Sequence, residues 1–104
     1  MITTTTANIP GKEVLEILGI SRGSTVRARN IGRDIFAGLK NIVGGEISEN
    51  TRLQAQSREQ AFQRMVQDAE SMGADAVINV RFTTSMVMQG AAEMLAYGTA
   101  VKLK

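Results

Sequence analysis

Three sets of residues in this chain have the types and spacing to do chemistry. Gly19-Ile-Ser-Arg-Gly23 matches the G-x-S-x-G pattern that presents a nucleophilic serine. Met86-Val-Met88 sets two thioethers two residues apart, with Met94 and Met72 as further candidates to join them. Arg22, Arg27, Arg29, Arg33 and Lys40 gather positive charge against a single nearby acid, Asp34. Each has to be weighed against what the chain lacks, for it contains no cysteine and no histidine. The usual thiolate nucleophile, the side chain that titrates near neutral pH and the commonest zinc ligands are therefore missing.

The serine pattern fails on that ground. A nucleophile elbow needs a strand-to-helix turn and a histidine base, whereas the residues around Ser21 read as one bent strand. Gly38-Leu-Lys-Asn-Ile-Val-Gly44-Gly45 fails as a phosphate loop because no Gly-Lys-Ser/Thr follows. Met86 and Met88 are soft ligands suited to Cu(I), and packing is the competing role, since methionine fills gaps well. Zinc, cadmium or nickel would want ligands that the chain does not have. Arg29 and Arg33 stand at the expected start of a short helix, where free N–H groups favour an anion; a salt bridge across a subunit boundary, with Asp34 among the partners, is the favoured role. Nucleic acid is a weaker partner for the basic segment, which lacks interleaved aromatic residues and any known binding signature.

The elements that would position these residues follow from the apolar pattern. Ile2 to Thr6 reads as a short edge strand, and Asn8-Ile-Pro-Gly11 as a turn. Glu13 to Ala28 reads as a strand with apolar residues on both faces. At roughly 3.3 Å per residue it would span about 50 Å, so it must bend, with Gly19 and Gly23 as the expected bend points. Asn30 caps a short helix through Ile35, Phe36, Leu39, Ile42 and Val43, ending at Gly44-Gly45. A long helix starts near Glu49, carries Phe62, Met65, Val66, Ala69 and Met72 on one stripe, and stops at Gly73. Ala76, Ile78, Val80 and Phe82 alternate with polar residues as a half-buried strand, Thr84 to Ala92 is a loop, and Met94 to Leu103 is the last strand. Its row of Ala96, Gly98 and Ala100 permits close approach of another backbone.

At 104 residues the chain makes one domain, residues 1–104, with a poor ratio of interior to surface. It is 43% apolar and has no apolar run of membrane-spanning length, so the reading is a globular cytosolic protein with no membrane association. The basic residues up to Lys40 face an acidic balance from Glu46 to Asp75, which suits pairing within or between subunits.

Three blocks, Gly32-Arg-Asp-Ile-Phe-Ala-Gly-Leu-Lys-Asn-Ile-Val-Gly-Gly-Glu46, Gly73-Ala-Asp-Ala-Val-Ile-Asn-Val-Arg-Phe82 and Leu95-Ala-Tyr-Gly-Thr-Ala-Val101, resemble the YbjQ-like family of small bacterial proteins, which carries a heavy-metal-binding label. The resemblance implies a dodecin-like α+β subunit of order ββααββ, with one long and one short helix on a small antiparallel sheet, assembled into a pentameric ring. It brings no established activity. The expected function is a homo-oligomeric binding or scaffold protein without enzymatic activity, holding a small ligand or metal in its ring cavity or subunit clefts. No cofactor is assigned. The alternative is an anion or nucleic-acid binder using the basic 22–40 segment.

Overall fold

The computed structural model describes residues 1–28 and 48–104. Their elements are β1 (Ile2–Thr3), β2 (Val14–Ala28), α1 (Ser48–Ser71), β3 (Ala76–Met88) and β4 (Ala91–Leu103). The four strands form one sheet in the order β1-β3-β4-β2, and α1 lies across one face of β2 and β4.

Two features correct the expected fold. Among the described residues the order is β-β-α-β-β with a single helix, not ββααββ; the short helix expected from Asn30 to Gly44 lies outside them. The sheet is mixed rather than antiparallel, because β1 runs parallel to β3, with Ile2 opposite Ala76 and Thr3 opposite Val77. The physical reason is that β1 and β2 occupy opposite edges and cannot form a hairpin. The chain between them crosses the face away from α1, where Ile9 packs on Ala76, Ile78 and Val101. The dodecin-like subunit with two helices on an antiparallel sheet is replaced by this arrangement.

The long helix begins at Ser48, close to the expected start, and ends before Gly73, whose φ of 79° takes the left-handed conformation that stops a helix. Its packing on β2 rests on a match of two repeats. Four helical residues rise about 6 Å and two strand residues about 6.6 Å, so Ser57, Ala61 and Met65 lie beside Thr25, Gly23 and Ser21 as the two elements run antiparallel. Thr25 Oγ1 donates to the Ser57 carbonyl at 3.2 Å, and Ser21 Oγ donates to the Met65 carbonyl at 2.7 Å. Between them a Cβ on Gly23 would overlap the Ala61 carbonyl oxygen and the Met65 nitrogen. Gly23 is thus the point of backbone contact and not a bend. The bend falls at Gly19 (φ 146°), beside a register shift after Ile17, and a second shift follows Val14.

On the helix side the core is Ala61, Met65 and Ala69 against Val77, Val80, Ala96 and Ala100, with Leu18, Phe62, Val66, Met72 and Met94 partly buried around it. Ala96 and Ala100 of the small-residue row pack in the helix-side core, while at Gly98 the close neighbour is β3, where a Cβ would meet the Ile78 carbonyl oxygen and the Val77 and Val80 side chains. The expected loop from Thr84 to Ala92 is instead strand. β3 and β4 run on as one hairpin to Met88 opposite Ala91, closed at Gln89-Gly90 with Gly90 at φ 79°.

β3 also departs from simple alternation. Ile78 belongs to the cluster on the helix-free face, yet Val80, two residues on, lies in the helix-side core. Between Ile78 opposite Thr99 and Arg81 opposite Tyr97, β3 advances three residues while β4 advances two. The extra residue is a β-bulge at Asn79, which has φ 55°, and the bulge exchanges the faces of everything after it.

Candidate functional site

The methionine pair sits near the tip of the β3–β4 hairpin. Met86 is 78% exposed and Met88 66%. Met94 lies on the helix side, where its sulfur accepts a hydrogen bond from Thr84 Oγ1 at 3.1 Å, and Met72 packs against the core. In the ladder Met94 stands opposite Thr84 and Met86 opposite Ala92, so Met94 is a diagonal neighbour of Met86. Among the described residues no group of three or more carboxylates gathers in metal-binding proximity.

Ser21 of the Gly19–Gly23 pattern is fully buried, and its hydroxyl proton is committed to the Met65 carbonyl. The motif is a docking point for α1. The basic segment divides. Arg27 donates from Nε to Ser57 Oγ at 3.1 Å and from Nη2 to Gln60 Oε1 at 2.7 Å, which binds the end of β2 to the helix. Arg29, Arg33 and Asp34 lie outside the described residues. The edge of β2 away from β4 is closed at its centre by helix side chains: Asp68 accepts from the Arg22 backbone N–H at 3.0 Å, and Arg64 Nη1 donates to the Ser24 carbonyl.

The arrangement that sequence reasoning missed lies on the helix-free face. Ser21 points into the helix interface, so Arg22 points the other way; Val80 and Phe82 face α1, Phe82 by stacking on Phe62 at 6.4 Å, so Arg81 also points away. Both are register partners of Tyr97, Arg22 on one side and Arg81 on the other. The three form a row across β2, β4 and β3, with Cβ atoms of neighbours about 5 Å apart. Tyr97 is 38% exposed, and both arginines are exposed. Arg81 Nη1 donates to the Thr5 and Val80 carbonyls, each at 2.8 Å. These neutral acceptors fix the guanidinium without neutralising it. Among the described residues neither guanidinium has a carboxylate within 4.0 Å; the ion pairs there are Lys102–Asp75 and Lys104–Glu13. The sequence held one clue, an asparagine inside a strand pattern, since asparagine is depleted in strands and enriched at positive φ.

Comparison with known proteins places the chain. The sequence profile of the YbjQ-like family, described as "Putative heavy-metal-binding", matches residues 1–104. A UPF0145 protein of Methanosarcina acetivorans is 59% identical over 103 residues, covering 99% of this chain and 97% of that protein. One from Archaeoglobus fulgidus is 60% identical over 104 residues, covering 100% and 96%, and one from Thermosipho africanus is 56% identical over 104 residues, covering 100% and 96%. The relatives thus span archaea as well as bacteria, which widens the bacterial range implied by the resemblance. A crystal structure of a protein of unknown function from Pediococcus pentosaceus superposes with a TM-score of 0.70 at 16% identity, covering 100% of this chain and 98% of that one, and shares the fold. The chain belongs to the YbjQ-like family, the UPF0145 proteins.

Proposed function

We propose that the protein is a non-enzymatic binding or scaffold protein that works as a homo-oligomer in the cytosol, five subunits being the number the family resemblance implies. The observation that carries this reading is the apolar surface that β2 leaves exposed.

Apolar side chains are concentrated on β2. Leu15, Ile17 and Ile20 are 61%, 69% and 69% exposed, and Val26 adds a further exposed position. Asp68 and Arg64 close the β2 edge at Arg22 and Ser24; among the described residues no side chain closes it from Leu15 to Ile20. Among the described residues no strand lies on the outer edge of that half of β2, and apolar side chains stand beside it, the two ingredients of strand-edge association. Support for a non-enzymatic role comes from the chemistry: no thiol, no imidazole, and a motif serine whose proton is already used. Native mass spectrometry of the purified protein tests the assembly, with a single discrete oligomer expected at micromolar concentration. A monomer under those conditions contradicts it.

A further inference from the structure

We draw no further inference here: the strongest candidate, the apolar patch of Met86, Val87 and Met88 at the closed end of the β3–β4 hairpin, lies beside the point where β2 leaves the described residues at Ala28, and nothing in the structure shows what covers it.

Discussion

At Gly23 the strand and the helix meet backbone to backbone, and a single methyl group there has nowhere to go. The obstructing atoms are the Ala61 carbonyl oxygen and the Met65 nitrogen, main-chain atoms that no rotamer change can move. Gly23→Ala should therefore cost about 3 kcal/mol, toward the upper end for overpacking, read as a lower urea midpoint at fixed protein concentration. An unchanged midpoint would mean that α1 does not rest on β2 at this point. The methionine pair gives a second residue-scale expectation. Met86 and Met88 are exposed, and the Met94 sulfur already accepts the Thr84 hydroxyl, so Cu(I) affinity in competition with a chelator should be weak and nearly equal in the parent and in the Met86→Leu, Met88→Leu double variant. A large loss in the variant would instead establish a thioether site. The pattern Gly19–Gly23 was legible as a structural feature, but the separate duties of its residues were not. Gly19 bends, Ser21 clamps and Gly23 makes room, and each duty depends on where a helix lands that begins more than twenty residues further on.

Among the elements, the long helix was the most legible, since its stripe and its Gly73 stop are local properties of the sequence. The hairpin was underestimated because Met86, Val87 and Met88 have no alternating pattern; they are strand because β4 continues opposite them as far as Ala91. The parallel pairing of β1 was hidden for the same reason, as it depends on a partner more than seventy residues away. Face assignments in β3 fail after Ile78, where one residue at Asn79 reverses the alternation. Phe62 shows the consequence for energetics. It lies at the margin of the core, half-buried and stacked on Phe82, which itself is 44% exposed. Phe62→Ala should therefore cost about 2 kcal/mol, less than the 3 to 5 typical of a fully buried ring. Urea denaturation measures it, and a loss as large as that of full burial would mean that another surface covers the pair in the assembled state.

At the scale of the whole molecule the account turns on surface that one subunit leaves uncovered. Among the described residues one helix on one sheet buries small residues well on its helix side and leaves Leu15, Ile17, Ile20 and Val26 exposed. Contact with a second copy is the covering proposed above for these side chains. The sequence indicated this need through the apolar residues on both faces of β2, but which half of the strand is left open follows from Asp68 and Arg64 on the helix. Sedimentation velocity of the parent and of the Leu15→Glu, Ile17→Glu double variant at micromolar concentration tests this most directly. The account predicts one discrete oligomer for the parent and a folded, helix-containing monomer for the variant, because two buried carboxylates would oppose the contact. A parent that sediments as a monomer, or a variant that assembles as the parent does, would contradict it.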